Sequence, residues 1–136
     1  MAEPLTLPRA LLEELLEEAR RALPNECCGL FAGRGRAVTR LFRATNALAS
    51  PTAYEIRPRE LFALFRRLRE ERIELVGIYH SHPTGDNFPS ARDLERAYYP
   101  ETPYVIVSPR AEAAQPVRAF LLGGEEVEEL RVEVRE

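Results

Sequence analysis

The sequence has no lysine and no tryptophan, and it has only two cysteines, two histidines and two aspartates. Without lysine, the chain cannot form a Schiff base through a side-chain amine. The two cysteines, Cys27 and Cys28, are neighbours. Adjacent cysteines rarely form a disulfide, and two alone make no disulfide framework. We therefore expect a reduced protein that works in the cytoplasm.

Long apolar runs are also missing: none approaches the ~20 residues that would span a bilayer. The first residues, Met1–Pro4, lack the basic stretch and apolar core of a signal peptide. All 19 basic residues are arginines, and 22 acidic residues leave a net charge of −3, which argues against a nucleic-acid partner. With 136 residues, 45% of them hydrophobic, we expect one globular domain, residues 1–136, without a membrane segment.

Hydrophobic periodicity predicts an α/β domain in which a mixed, mostly antiparallel sheet is flanked by about three helices. Apolar residues at three- and four-residue spacing predict the helices, and short apolar or alternating runs predict the strands. The predicted helices are Pro8–Leu23, Pro58–Glu70 and Ser90–Tyr98. The predicted strands are Cys27–Ala32, Ala37–Arg43, Tyr54–Ile56, Leu75–His80, Tyr104–Ser108, Val117–Leu122 and Val127–Val134, with a hairpin turn at Gly123-Gly124.

The two histidines stand two residues apart, in Tyr79-His80-Ser81-His82-Pro83. In an extended segment, residues i and i+2 face the same side, so both imidazoles can grip one metal ion. Pro83 ends the strand directly after them, which places both rings at one end of the sheet. A lone His-x-His pair is weak evidence by itself and needs further ligands to support a metal site.

A third ligand candidate is Asp93, eleven residues beyond His82 in Ser90-Ala91-Arg92-Asp93. This segment has the pattern of a capping box, with the aspartate in the place of the usual glutamate. Ser90 could be a helix cap only, and Asp93 could simply favour the positive end of the helix dipole. Two histidines and one carboxylate, however, leave a coordination position open for water, which is the layout of catalytic zinc.

A hydrolytic metal site also needs a group that takes a proton from water and passes it on. Glu26 is the candidate, because it stands at the mouth of an otherwise apolar predicted strand. From its local sequence alone, a solvated residue in a helix–strand connection is the simpler interpretation. Cys27 and Cys28 are interpreted as small apolar residues of that strand, not as nucleophiles.

Together these residues resemble the JAMM motif of the MPN-domain metalloproteases: a distant glutamate, His-Ser-His-Pro, and Ser-x-x-Asp seven residues further on. The resemblance covers roughly residues 8–122. It implies zinc held by His80, His82 and Asp93. It also implies that Glu26 is general base and acid toward a metal-activated water, and that Ser90 donates a hydrogen bond to the oxyanion.

The same resemblance implies the substrate: a peptide or isopeptide bond after the C-terminal Gly-Gly of a ubiquitin-like or sulfur-carrier protein. Members of the family often pair through this domain, so a homodimer is one state that it allows. Two other functions stay open from the residues. A non-haem iron oxygenase also uses two histidines and a carboxylate, although usually in the order His-x-Asp/Glu and then a distant His. A non-catalytic MPN scaffold is the other, although such relatives typically lack ligands.

Overall fold

The computed structural model describes residues 3–136, whose strands form one mixed sheet of eight strands. Met1 and Ala2, in the segment where the sequence predicts no signal peptide, lie outside the described residues. In chain order the elements are β1 (Leu5–Pro8), α1 (Arg9–Ala22), β2 (Cys28–Arg34), β3 (Ala37–Ala44), α2 (Pro58–Glu71), β4 (Glu74–Ser81), α3 (Ala91–Glu95), β5 (Tyr104–Val107), β6 (Val117–Leu121), β7 (Glu128–Leu130) and β8 (Val132–Arg135).

The strand order across the sheet is β7-β6-β5-β4-β2-β3-β1-β8. The pairs β4–β5, β1–β3 and β1–β8 are parallel, and the other four pairs are antiparallel. Three helices accompany this sheet, so the predicted fold class is confirmed. In residues 3–136, no helix has both the length and the apolar character needed to cross a bilayer.

Each face of the sheet is covered by one of the long helices. Leu15 and Ala19 of α1 are fully buried against one face, in a cluster with Phe31 and Tyr79. Leu68 of α2 is buried against the other face. The central strands β2, β4 and β5 are therefore buried on both sides, and this explains their nearly continuous apolar sequences.

The predicted strand Val127–Val134 is two strands, and this part of the prediction is wrong. Residues of β7 pair with β6 at one edge of the sheet, whereas β8 pairs with β1 at the opposite edge. Only Arg131 separates β7 from β8. The sheet must therefore curl until its two edges meet near this residue, a long-range arrangement that local alternation does not reveal.

Two further predictions are corrected, and one strand was not predicted. Tyr54–Ile56 is irregular, because the backbone N–H of Glu55 donates to the Asn46 side chain and not to a neighbouring strand. The helix predicted over Ser90–Tyr98 is regular only over Ala91–Glu95. The short β1 strand, Leu5–Pro8, precedes the first helix and has no counterpart in the predicted elements.

Candidate metal centre

The two histidines lie at the C-terminal end of β4, on the sheet face that α2 covers. The antiparallel register of β2 and β4 pairs Cys28 with His80. Beyond that pair, the N–H of Ser81 donates to the carbonyl oxygen of Cys27 at 3.1 Å, and the Cys27 N–H donates to Ser81 Oγ at 2.8 Å. Continuing this register by two residues places Glu26 opposite His82, in agreement with the effect of the His82 charge on the Glu26 carboxyl. The glutamate and the histidines therefore meet at one end of two adjacent strands.

The structure brings three of the predicted site residues into one compact group, His80, His82 and Asp93, which we call the His-His-Asp group. His80 Nε2 lies 3.1 Å from Asp93 Oδ1, and His82 Nε2 lies 3.0 Å from Asp93 Oδ2. The two Nε2 atoms are 3.3 Å apart. All three residues have at most about a tenth of their side chains exposed.

A backbone carbonyl group on the side of the ring away from Asp93 fixes the orientation of His82. Its Nδ1 lies 2.8 Å from the carbonyl oxygen of Asp86, an acceptor, so Nδ1 carries a hydrogen. In the neutral imidazole, Nε2 then presents its lone pair to the group, and in the protonated imidazole it donates to Asp93. The loop that supplies this carbonyl is anchored by buried Asn87, whose Nδ2 donates to the carbonyls of Ile106 at 3.2 Å and Gln115 at 2.9 Å. Sequence reasoning missed Asn87, since an asparagine in a polar turn gives no sign of burial.

Asp93 is positioned by the first turn of α3. Ser90 Oγ accepts the Asp93 N–H at 3.1 Å, and Asp93 Oδ2 accepts the Ser90 N–H at 2.9 Å. The capping box predicted from the sequence is thereby confirmed. The cap fixes the carboxylate relative to the helix start, and the same Oδ2 atom reaches His82.

The charges in the group stabilise one another. Burial would raise the pKa of Asp93, but hydrogen bonds from His80 and His82 and from the Ser90 N–H hold it well below its usual range. Burial lowers the pKa of His80, which favours the neutral imidazole. At His82, burial acts in the same downward direction, but the bonds to Asp93 and to the Asp86 carbonyl outweigh it and raise the pKa.

Glu26 is buried, with 5% of its surface exposed, so the solvated interpretation of this residue is wrong. Within the described part of the chain, its Oε1 atom has no hydrogen-bond partner. Burial raises the pKa of Glu26 to about 8, and the charge of His82 partly opposes that rise. A carboxyl group with this pKa can both accept and release a proton near neutral pH.

The donor set fits a zinc ion. Nitrogen and carboxylate ligands lie ~2.0–2.2 Å from tetrahedral zinc, which places the ligand atoms about 3.3 Å from one another. The two Nε2 atoms are 3.3 Å apart, and each lies within 3.1 Å of one oxygen of the Asp93 carboxylate, so the three side chains converge on a space of that size. Two neutral imidazoles and one carboxylate are also ligands that zinc prefers.

A cleft runs from this group toward α2 and is lined by four of the five tyrosines of the chain. The ring of Tyr54 stacks on His80 at a centroid distance of 4.5 Å and forms the inner wall. The wider part of this tyrosine cleft has a volume of about 220 Å³. It is lined by Leu30, Tyr54, Glu55, Ile56, Leu61, Ile78, Arg96, Tyr98, Tyr99 and Tyr104. Sequence reasoning missed the cleft, because Tyr54 was assigned to a strand.

The inner end of the tyrosine cleft is narrow. Beside His80 and Asp93 the free volume is about 10 Å³, and Tyr54, Arg96 and Tyr104 border both this end and the wider part. This volume is about that of one water molecule. The space beside the two ligand candidates therefore holds no more than a water molecule, whereas the wider part has room for a bulky side chain.

The fold and the site together define the class of protein, a JAMM-type peptidase domain. Within that class, the chain belongs to the family described as prokaryotic homologs of the JAB domain, whose model matches residues 8–123. Three curated relatives are peptidases or desampylases by name. The chain is 43% identical over 125 residues to the probable TtuB-protein conjugate cleaving protease of Thermus thermophilus, covering 90% of this chain and 80% of that protein.

The other two relatives come from different organisms. Identity to the desampylase of Haloferax volcanii is 36% over 137 residues, covering 96% of both proteins. Identity to the CysO-cysteine peptidase of Mycobacterium tuberculosis is 32% over 118 residues, covering 85% of this chain and 81% of that protein.

Solved structures agree with the fold. A Desulfitobacterium hafniense protein, known from a solution structure, has a TM-score of 0.87 and 36% identity, covering 96% of this chain and 92% of its own. A JAB1/MPN domain protein from Archaeoglobus fulgidus has a TM-score of 0.64 and 23% identity, covering 96% of this chain and 99% of its own. This second likeness shows the fold alone.

Proposed function

We propose that the chain is a zinc-dependent peptidase that cleaves the bond after the C-terminal Gly-Gly of a ubiquitin-like or sulfur-carrier protein. The observation that carries the proposal is the His-His-Asp group beside a buried glutamate in a chain whose relatives are peptidases and desampylases. Those relatives are named for a TtuB conjugate and for CysO-cysteine. The free, buried cysteines agree with work in a reducing compartment such as the cytoplasm.

In this proposal the Nε2 atoms of His80 and His82 and the carboxylate of Asp93 hold the ion. Zinc in such a site polarises the scissile carbonyl and lowers the pKa of water to ~7. The protein's part is to hold the three ligands at the right spacing. The Asp86 carbonyl behind His82 and the α3 cap behind Asp93 keep these donors in place.

Glu26 is the proposed proton carrier. It takes a proton from the attacking water and then gives it to the leaving amine, so the same carboxyl acts first as base and then as acid. Its burial and the nearby charge of His82 support this role, and in the metal-free protein its pKa lies within reach of neutral pH. The unpartnered Oε1 atom is free to bind the proton that is transferred.

Ser90 is the proposed donor to the oxyanion, and its replacement separates that role from capping. We expect Ser90→Ala to lower kcat about 100-fold, the effect of losing one such donor, and to reduce the free energy of unfolding by about 1 kcal/mol. Ser90→Gly should lower kcat equally but change stability by only a few tenths of a kcal/mol, because glycine is a fair N-cap. Turnover and urea unfolding of both variants check this. Wild-type turnover in Ser90→Gly would limit Ser90 to capping.

The tyrosine cleft supports the proposed diglycine tail. In this proposal an extended tail reaches the His-His-Asp group beside Tyr54, where the free volume is no larger than a water molecule. Glycine, which has no side chain, needs the least rearrangement of the walls there. The residue before the diglycine then lies in the wider part, whose walls of Ile56, Leu61 and tyrosine rings suit an apolar side chain.

The test uses a carrier that ends in Gly-Gly, joined either to the Nε atom of a lysine peptide or to a C-terminal cysteine. We expect cleavage after the second glycine, read by intact mass, with loss of activity in chelator and recovery on adding Zn²⁺. Changing the final Gly-Gly to Ala-Ala in the same carrier should slow cleavage at least about tenfold, because the added methyl groups overfill the inner end of the tyrosine cleft.

Metal exchange distinguishes this proposal from the oxygenase alternative. The proposal requires turnover with zinc in the absence of oxygen. Turnover that needs iron and oxygen would contradict it, as would equal cleavage of the Gly-Gly and Ala-Ala carriers. Cleavage of only the lysine-linked or only the cysteine-tailed substrate would support the proposal and assign the acceptor.

A further inference from the structure

The loop between β3 and α2 is organised by one side chain, that of Asn46. Its Nδ2 donates to the carbonyl oxygens of Glu26 at 3.1 Å and Ala53 at 2.9 Å. Its Oδ1 accepts the N–H groups of Leu48 at 3.1 Å and Glu55 at 3.2 Å. A primary amide has two donor hydrogens and two acceptor lone pairs, so this side chain uses its whole hydrogen-bonding capacity.

The two donor bonds of Asn46 reach two different parts of the site. One holds the backbone of Glu26, whose N–H is also bound by this loop, at the Ser50 carbonyl oxygen 2.9 Å away. The other holds buried Ala53, the residue before Tyr54. Through Ala53, the bond fixes the ring that stacks on His80. The glutamate and the wall of the tyrosine cleft are thus tied to the same amide group.

We propose that Asn46 is a positioning residue: it fixes the positions of Glu26 and Tyr54 relative to each other and to the His-His-Asp group. The inference rests on the function proposed above, because it gives Glu26 the part of proton carrier. Asn46 itself touches neither the ligands nor the inner end of the tyrosine cleft. Its effect on turnover comes through the two carbonyl groups that it holds, since a misplacement of about 1 Å at a reacting group can slow a reaction ~100-fold.

The isosteric variant Asn46→Asp tests this role. It keeps the two acceptor bonds to Leu48 and Glu55, and it replaces the donor that faces Glu26 and Ala53 by an oxygen. We expect kcat to fall by at least about tenfold, while KM changes less than threefold. Thr52→Ala is the matched control: it removes a hydroxyl of the same loop that contacts Ser50 Oγ and neither Glu26 nor Ala53. We expect this control to keep wild-type kcat.

A second measurement does not depend on activity. The chain has only two histidines, so its NMR spectrum contains two sets of imidazole resonances. The stacked ring of Tyr54 shifts those of His80 by its ring current. In Asn46→Asp we expect the His80 resonances to move, and in Thr52→Ala to stay. If no cleavage is found in any variant, the proposed peptidase function fails, and the His80 resonances still decide whether Asn46 positions the site.

A purely structural loop residue would give a different result. Asn46→Asp would then melt at a lower temperature, but kcat would stay within twofold of wild type and the His80 resonances would not move. That result would overturn the proposal. If Asn46→Asp does not fold, Asn46→Gln takes its place, because its extra methylene moves the amide away from the carbonyl oxygens of Glu26 and Ala53 while the chemical group stays the same. Wild-type kcat and His80 resonances in Asn46→Gln would equally overturn it.

Discussion

Replacing Glu26 by glutamine should lower kcat about 100-fold or more while the protein keeps its metal, as expected when a general base is lost. Glutamine has the shape of glutamate but cannot accept and release a proton. Since Glu26 is not one of the three ligands in the proposal, metal content by elemental analysis should stay at the wild-type level. Turnover of a Gly-Gly carrier, read by mass, gives the rate.

The chain offers a matched control in its other buried glutamate. Glu18 lies on α1, at the opposite face of the sheet, and accepts a hydrogen bond from the Tyr79 hydroxyl at 2.7 Å. Burial raises the pKa of this carboxyl too. Glu18→Gln makes the same chemical change in a similar environment but away from the His-His-Asp group, so its kcat should stay within about twofold. Full activity in Glu26→Gln would remove Glu26 from the mechanism.

The stability of the metal-free protein gives an independent readout of Glu26. Its pKa rises from 4.5 in the unfolded chain to about 8 in the fold. The folded state therefore binds the proton more tightly. The stability that this provides is complete below pH 4.5 and is lost as pH rises toward 8. In Glu26→Gln this loss is absent. We expect urea unfolding at pH 5, 7 and 9 to show that the free energy of unfolding of Glu26→Gln increases relative to wild type at each higher pH. The same pH dependence in both proteins would contradict a raised pKa of Glu26.

The grouping of the three proposed ligands could be predicted from the sequence because these residues are close together along the chain. His80 and His82 share one strand face by the two-residue period of an extended backbone. Asp93 follows within one loop and begins a helix with a recognisable cap. Each of these features depends on local geometry, which a single sequence displays.

The environment of the site could not be predicted in the same way. Glu26 looks solvated in its local sequence, but the pairing of β2 with β4 and the bonds to the loop between β3 and α2 bury it near His82. Tyr54 lies in an apolar-looking stretch that resembles a strand, but the Asn46 side chain takes the hydrogen bond that a neighbouring strand would have provided. Contacts between residues far apart in sequence decide both cases, and no local periodicity reports them.

Long-range contacts also decide which strands form the two edges of the sheet. Alternation over Val127–Val134 correctly indicates extended backbone, since β7 and β8 fill most of this range. It does not indicate that the chain leaves one edge at Leu130 and joins the other at Val132. Partner choice depends on the curl of the whole sheet. Whether a segment is helical or extended was therefore more predictable than which strands pair.

Replacing His82 by alanine should release the metal and abolish hydrolysis. The two remaining ligand residues present His80 Nε2 and Asp93 Oδ1, which lie 3.1 Å apart and can still contact an ion. Two ligands cannot hold zinc as three do: even loss of an outer hydrogen bond to a ligand lowers metal affinity ~10–100-fold, and loss of the ligand itself should exceed that. Elemental analysis after dialysis and turnover with added Zn²⁺ measure both effects.

Thermal melting separates loss of metal from loss of fold. A ligand that binds only the folded state at about a thousand times its Kd stabilises it by about 4 kcal/mol, which corresponds to a Tm increase on the order of 10 °C for a chain of this size. We expect Zn²⁺ to raise the Tm of wild type by this amount and that of His82→Ala hardly at all. Both proteins should melt cooperatively in chelator.

Asp86→Ala is the control for His82→Ala. The Asp86 carboxylate is 73% exposed, and only its backbone carbonyl binds His82 Nδ1. Removing the carboxylate takes a charge from the same loop but keeps that carbonyl, so metal content and turnover should both stay near wild type. If His82→Ala instead retained one metal per chain and wild-type turnover, His82 would not be a ligand, and the hydrolytic site would have to be sought elsewhere in the chain.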